Sequence, residues 1–289
     1  MKTATKSSLL FVSSLVLLVA FSPAIALSGS MMTPAMAVMS PSNVGSYNWS
    51  GYAVSTSSVT FVSGSWIVPT VTSPNPTSTT TYYAAFWLGI DGFTSNTVEQ
   101  TGILAEAQGS GVTWYAFTEF YPSAAVLTSE PTISVGDLIT ANVTYTTSSS
   151  SSAAKVTDML SPITSSTFSS NKFPDPRRST GTFTVSIKDG SKWSISKTGT
   201  VANAARSSAE CIAETPTVNG KLASLADFGT ANFTNCDAST TTVATQAFGS
   251  FSSVYAITMY NYPSANTVMA LPSALTSSSF SVTWESAGP

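Results

Sequence analysis

The chain has 289 residues, with 11 Lys and Arg, 14 Asp and Glu, no His, and a formal net charge of −3. Without histidine, Ser-His and Cys-His nucleophilic pairs cannot form, and zinc sites of the usual catalytic kind lose their commonest ligand. No metal or other cofactor is expected. The weakly acidic balance argues against nucleic acid as a partner. Only 9% of residues are charged, against roughly 25% in an average soluble protein, so Ser, Thr and Asn must supply solubility.

The chain opens with two lysines, Lys2 and Lys6, then an apolar run from Leu9 to Phe21, then Ser22-Pro-Ala-Ile-Ala26. A positive start, a short apolar stretch and a small-x-small site have the form of a secretory signal over residues 1–26. The apolar run falls short of the roughly 20 residues of a comfortable membrane span; an uncleaved anchor is the alternative. Residues 27–42 show no strand or helix period and read as a pro-segment or a disordered lead-in. Residues 43–289 are expected to form one domain, secreted, monomeric and free of the membrane. Removing the leader leaves nine basic and fourteen acidic residues, a charge of −5. Acid denaturation works mainly by protonating carboxylates that are paired in the native state. A fold with few such pairs and no histidine to charge is expected to survive below about pH 4.

Helical periodicity is scarce. Short runs rich in β-branched and aromatic residues alternate with Ser, Thr, Gly, Pro and Asn clusters. In chain order the expected strands are Ser50–Val54, Val59–Val68, Thr80–Ile90, Gln100–Leu104, Thr113–Tyr121, Leu138–Tyr145, Lys155–Leu160, Thr182–Lys188, Lys192–Thr198, Ser208–Glu214, Ala231–Cys236, Ser253–Tyr260 and Ser279–Trp284. Gly136-Asp137 and Asp189-Gly190 sit where strand-entry and hairpin turns belong. Thr70–Thr81 and Thr146–Ser152 read as surface loops. So many short strands imply an all-β fold of two stacked antiparallel sheets.

Candidate chemistry is confined to Asp, Glu, Lys, Tyr and polar stabilisers such as Gln and Asn. In Ala209-Glu-Cys-Ile-Ala-Glu214 the strand period places Glu210, Ile212 and Glu214 on one face and Cys211 and Ala213 on the other. Facing outward, the two carboxylates are ordinary solvated residues. Lining a concave sheet, desolvation and like charge would raise at least one pKa and create an acid or base. Gln100 alone reads as a surface residue or cap. Cys211 and Cys236, in an exported chain, are expected to form a disulfide contributing roughly 3 kcal/mol in the chain-entropy picture. The alternative is two small buried apolar residues that never meet. Asn48, Asn142 and Asn232 head glycosylation sequons.

The ordered set Asn48-Trp-Ser-Gly-Tyr52, Trp66-Ile-Val-Pro69, Trp87-Leu-Gly-Ile-Asp91-Gly92, Gln100-Thr-Gly102, Glu119-Phe-Tyr-Pro122, Gly136-Asp137, Ala209-Glu-Cys-Ile-Ala-Glu214 and Ala226-Asp-Phe-Gly229 resembles the glutamic peptidases, or eqolisins. The resemblance implies a β-sandwich of two large antiparallel sheets, of the concanavalin or jelly-roll kind, with a concave groove. It implies an acid endopeptidase acting on proteins or peptides without a cofactor. Gln100 matches the family's catalytic glutamine and Glu214 its general base, with Glu210 as second choice. Trp87, Asp91 and Glu119 match supporting or substrate-contacting positions. In that mechanism an ionised Glu takes a proton from water, while the Gln amide donates to the developing oxyanion. The chain departs from the pattern at Cys211, where an aromatic is usual, at Phe120, where a Trp is often found, and in a slightly shortened loop between Asp91 and Gln100 that lacks a cysteine.

Two other readings remain open on the residues. One is a β-sandwich glycoside hydrolase pairing Glu119 with Glu210 or Glu214, at carboxyl separations of about 5 Å or 6.5–9.5 Å. The other is a non-catalytic carbohydrate-binding or cell-surface module.

Overall fold

The computed structural model describes residues 43–129, 131–147 and 181–288. The leader, the 27–42 segment, the expected strand Lys155–Leu160 and most of the Thr146–Ser152 loop lie outside the described residues. The front sheet runs from edge to edge as β1 (Asn43–Ser46), β17 (Val254–Tyr260), β2 (Trp49–Ser55), β11 (Ser208–Glu214), β4 (Tyr82–Ile90), β5 (Val98–Gln108), β6 (Gly111–Tyr121) and β7 (Val126–Thr128). The back sheet runs as β10 (Trp193–Gly199), β9 (Gly181–Asp189), β8 (Leu138–Thr147), β3 (Val59–Ile67), β15 (Thr230–Thr240) and β19 (Phe280–Trp284). Strand β18 (Val268–Pro272) pairs with both β17 and β19 and so joins the two layers. The short β12 (Thr217–Val218) and β13 (Lys221–Leu222) form a hairpin; β14 (Ser224–Leu225) extends along β4, and β16 (Gln246–Ala247) along β15. The expected all-β sandwich is what forms.

The burial patterns separate the layers. β8 and β9 alternate buried and half-exposed residues, with Ile139, Ala141, Val143, Phe183 and Val185 inward and Ser or Thr largely outward. That is the mark of a sheet with one solvated face. β11 is buried at every position and β4 nearly so. Their inner faces, with Phe86, Leu88, Ala209 and Ala213, pack on Val62, Trp66 and Phe233 of the back sheet. Their outer faces carry a second apolar cluster of Trp49, Trp87, Phe93, Leu104, Phe117 and Ile212. A sheet covered on both sides is the setting in which a polar side chain is forced to find a partner or lose its charge.

Glycine makes room for the two tryptophans. At Gly102 an added Cβ would fall 2.3 Å from Phe86 O and 2.5 Å from Trp87 Cβ, so the strand opposite Trp87 accepts only hydrogen there.

The cysteines correct the expected disulfide: Cys211 and Cys236 are free thiols, both buried. Cys211 points inward from β11, as the strand period requires, and Cys236 meets it from β15 across the interlayer space, beside Gly64. Unbroken alternation would turn Cys236 away from Phe233. A register shift between Thr234 and Asp237, with Asn235 at φ 55°, turns it inward instead. Burial pushes the Cys211 thiol well above its ordinary value, and the neighbouring Cys236 adds to this. The pair therefore behaves as packed neutral thiols: buried as the second sequence reading expects, but in contact, where that reading kept them apart.

Candidate functional site

Strand register arranges the candidates on the outer face of the front sheet. One row across the strands reads Glu210, Gly89, Gln100, Glu119; the next reads Ile212, Trp87, Gly102, Phe117; the third reads Glu214, Ala85, Leu104, Tyr115. The face predicted from the period of 208–214 holds. Gln100 and Glu119 are cross-strand neighbours, and only the hydrogen of Gly89 separates Glu210 from Gln100. At Gly89 a Cβ would stand 3.0 Å from Gln100 Cβ and 3.1 Å from Glu99 O, so glycine here fixes how closely the row packs.

Glu214 sits in a cradle of N–H donors. The Trp87 indole Nε1 donates to Oε2 at 2.7 Å, and Asn48 Nδ2 donates to Oε1 at 2.9 Å. Asn48 is itself oriented, because Ser46 Oγ donates to its Oδ1 at 3.1 Å. Burial pushes the Glu214 carboxyl up to about 8, against the pull of the bonds from Trp87 and Asn48 and of the nearby Trp49. Asn48 was visible in the sequence only as part of a motif and as a sequon. In the fold it is 2% exposed and occupied by Glu214, so it is no glycosylation acceptor in the native state. A polar residue directly before a buried Trp was the one available signal.

Gln100, 1% exposed, donates through Nε2 to Glu119 Oε2 at 2.5 Å. This bond assigns the amide: Nε2 faces Glu119, and Oε1 is left buried without a protein partner. The Glu119 carboxyl is held well above the usual range by burial; the Gln100 bond lowers it and the charge of Glu214 raises it. Among the described residues Gln100 and Glu214 are not hydrogen-bonded to each other. What connects the two halves is the field of Glu214 acting on the carboxyl that grips Gln100.

The remaining candidates differ in kind. Asp91, at φ 70°, accepts from Arg206 N at 2.6 Å, Ser207 N at 2.8 Å and Ser207 Oγ at 3.0 Å. It clamps the lead-in to β11 against the end of β4, and thereby sets where the Glu210 and Glu214 rows fall. Glu210 faces the same side as Gln100, near the Ser208 hydroxyl and the Phe93 N–H. Burial pushes its carboxyl well up, and the charge of Asp91 adds to this. Glu99, which sequence reading passed over, points to the inner face behind Gln100. Neither of its oxygens has a partner, and burial, then Asp91 and Glu210, raise it well above its ordinary value. Among the described residues no group of three His, Cys, Asp or Glu is placed to hold a metal ion.

A glutamine on β5 and a glutamate on β11, one strand apart on a covered sheet face, in a sandwich of this topology, define a class. The profile of the Peptidase A4 family matches residues 47–172 and 175–284, and the chain belongs to that family, the glutamic peptidases. Among its relatives, Aspergillopepsin-2 of Aspergillus niger is 29% identical over 212 residues, 67% of this chain and 64% of that protein. The chain thus matches just under two thirds of that relative's length. Scytalido-glutamic peptidase, solved with a transition state analog inhibitor, superposes with a TM-score of 0.60 at 20% identity, covering 83% of this chain and 98% of that one. SCP-B, a member of the eqolisin family solved with the tripeptide Ala-Ile-His, gives 0.56 at 19% identity with the same coverage. At these identities the two structures share the fold.

Proposed function

We propose that the chain is a secreted, monomeric acid endopeptidase of one domain, residues 43–289, preceded by a signal over 1–26 and a lead-in over 27–42. Its substrates are proteins or peptides, and Gln100 and Glu214 carry the reaction. The observation that carries this reading is the paired support of these two residues. Glu214 is gripped by Trp87 and Asn48, Gln100 by Glu119, and Glu119 senses Glu214. Buried polar groups of this number on one sheet face cost stability, and carboxyls perturbed in this way cluster at functional sites.

In the proposed reaction Glu214, ionised, takes a proton from a water placed against it and against Gln100 Oε1. The water attacks the scissile carbonyl, and the second hydrogen of Gln100 Nε2 donates to the oxygen as it becomes negative. Protonated Glu214 then delivers the proton to the leaving amine. The bond that Gln100 Nε2 donates to Glu119 Oε2 holds the amide in this orientation. Burial keeps Glu214 protonated in acid. The Trp87 and Asn48 donors favour its anion, and that preference takes effect when water reaches the carboxyl and the burial cost falls. Glu210 is the second choice as base, sharing the row of Gln100 but with neither carboxyl oxygen hydrogen-bonded. Trp87 and Asp91 act as supports. The glycosidase and carbohydrate-binding readings gain nothing from the family.

Digestion of a denatured protein at pH 2–5 tests the proposal with wild type, Gln100→Ala, Glu214→Gln and Glu210→Gln side by side. Loss of at least a hundredfold is expected in the first two variants and not in the third. Undiminished cleavage by Gln100→Ala or Glu214→Gln would overturn the assignment.

A further inference from the structure

The row that holds Gln100 crosses six strands as Tyr255, Ala53, Glu210, Gly89, Gln100 and Glu119. Its two smallest members, Ala53 and Gly89, flank Glu210, so the carboxyl has room to lean towards Gln100 over bare backbone. Two strand spacings, roughly 9.6 Å, separate the Glu210 and Gln100 Cα atoms. Side chains of this length, leaning together, leave a gap that one water spans. The benzo edge of Trp87, whose Cζ3 lies 3.2 Å from where a Cβ at Gly89 would stand, bounds that gap on the Glu214 side.

The polar groups beside the gap are short of partners. Gln100 Oε1, both carboxyl oxygens of Glu210 and the Ser208 hydroxyl are buried and unbonded. The N–H donors of Trp87 and Asn48 are spent on Glu214. Ionised, Glu210 would only add acceptors; protonated, it supplies the donor that Gln100 Oε1 lacks. Its surroundings hold the proton in place. Asp91 and Glu99 are its acidic neighbours, Glu119 and Glu214 share its face, Tyr255 closes the row, and among the described residues the ion pairs of lysine lie elsewhere, at Asp137 and Asp189. Burial, with the charge of Asp91 added, keeps the Glu210 carboxyl well above its usual range.

A single bond fixes a single point. The Glu119 bond holds Gln100 Nε2 but lets the amide plane swing about it, and with it the second hydrogen that is to meet the oxyanion. A bond at Oε1 fixes the plane before the charge develops. We infer that protonated Glu210 is a positioning residue for Gln100, its O–H reaching Gln100 Oε1 through one water over Gly89 while its other oxygen accepts from the Ser208 hydroxyl. This rests on the peptidase reading above. A carbonyl oxygen has two lone pairs, so the reacting water keeps its place on Oε1. Glu210 gives up no proton in the reaction, which separates this role from that of a base.

The experiment follows kcat and KM against pH for wild type, Glu210→Gln and Glu210→Leu on one peptide, with tryptophan fluorescence reporting that each stays folded. At pH 4 Glu210→Leu is expected to lose kcat roughly tenfold, the size of one hydrogen bond, with KM unchanged. Glu210→Gln, whose amide N–H still donates, is expected to recover to within about threefold of wild type. Because that amide never ionises, the alkaline fall of kcat is expected to begin at higher pH in Glu210→Gln than in wild type. The infrared absorption of protonated carboxyls at pH 6 is expected to drop by one group in the same variant, a reading independent of whether Glu210→Leu folds. Wild-type kcat in Glu210→Leu, equal losses in both variants, an unshifted alkaline limb or an unchanged infrared absorption overturns the positioning role. A loss of a hundredfold or more in Glu210→Gln overturns it too, and makes Glu210 the base. Failure of wild type to cut any peptide at pH 2–5 would instead count against the peptidase reading, and the positioning role would fall with it.

Discussion

Raising the pH from 4 to 8.5 is expected to destabilise this protein, and Glu214 sets a scale for the loss. Its carboxyl moves from an ordinary 4.5 to about 8 in the fold, so between those values the native state holds a proton that the unfolded chain has released. Stability from this group is therefore complete below about pH 4.5 and disappears as pH climbs through about 8. At 1.36 kcal/mol per unit, a shift of about 3.5 units corresponds to about 5 kcal/mol, comparable with the whole stability of a small or medium domain. Glu99, Glu119 and Glu210 are raised in the same direction and steepen the decline. The assay is urea unfolding at pH 4, 6 and 8 for wild type and Glu214→Gln. At pH 4 the variant is expected to be less stable by about 1–2 kcal/mol, because an amide offers one acceptor where the carboxyl meets donors from both Trp87 and Asn48. Between pH 5 and 8 it is expected to lose several kcal/mol less than wild type. Wild-type stability that holds or rises over that interval, or a variant with the same pH slope, would refute the reasoning.

Three further outcomes follow from the cradle, the amide lock and the thiols. Trp87→Phe removes the 2.7 Å bond to Glu214 and so disfavours its anion; the acid limb of kcat/KM is expected to move up by about one unit, and an unmoved limb would separate Trp87 from the base. Glu119→Leu frees the Gln100 amide and is expected to lower kcat about a hundredfold with little change in KM, with partial recovery in Glu119→Gln, which keeps an acceptor; equal loss in both would point to charge rather than orientation. Titrating the unreduced protein with a thiol reagent in denaturant is expected to release two thiols per chain, and none would restore the disulfide.

Much of the site was legible because the strand period is local. The alternation of Glu210, Ile212 and Glu214 with Cys211 and Ala213 can be counted directly from the letters, and the strands of β3, β4, β6 and β11 follow from β-branched and aromatic runs between turn residues. β18 escaped notice because Val268–Pro272 holds a single β-branched residue and ends in proline; it exists because β17 and β19 give it partners on both sides. Family resemblance, and not periodicity, singled out Gln100: a Gln near the start of a strand has no local signature of chemistry.

The amino-acid order settled the all-β class, the absence of histidine chemistry and the face each β11 side chain takes, since these depend on composition and on neighbours along the chain. Tertiary structure alone decided that Asn48 holds Glu214, that Glu119 holds Gln100, that Glu99 lies unpaired behind them and that the two cysteines meet as thiols. Each of these depends on which strands lie side by side and on how far a bulge or a clamp such as Asp91 shifts their register. Burial between two covered faces, a property of the assembled sheets, is what lifts the carboxyls from their ordinary values.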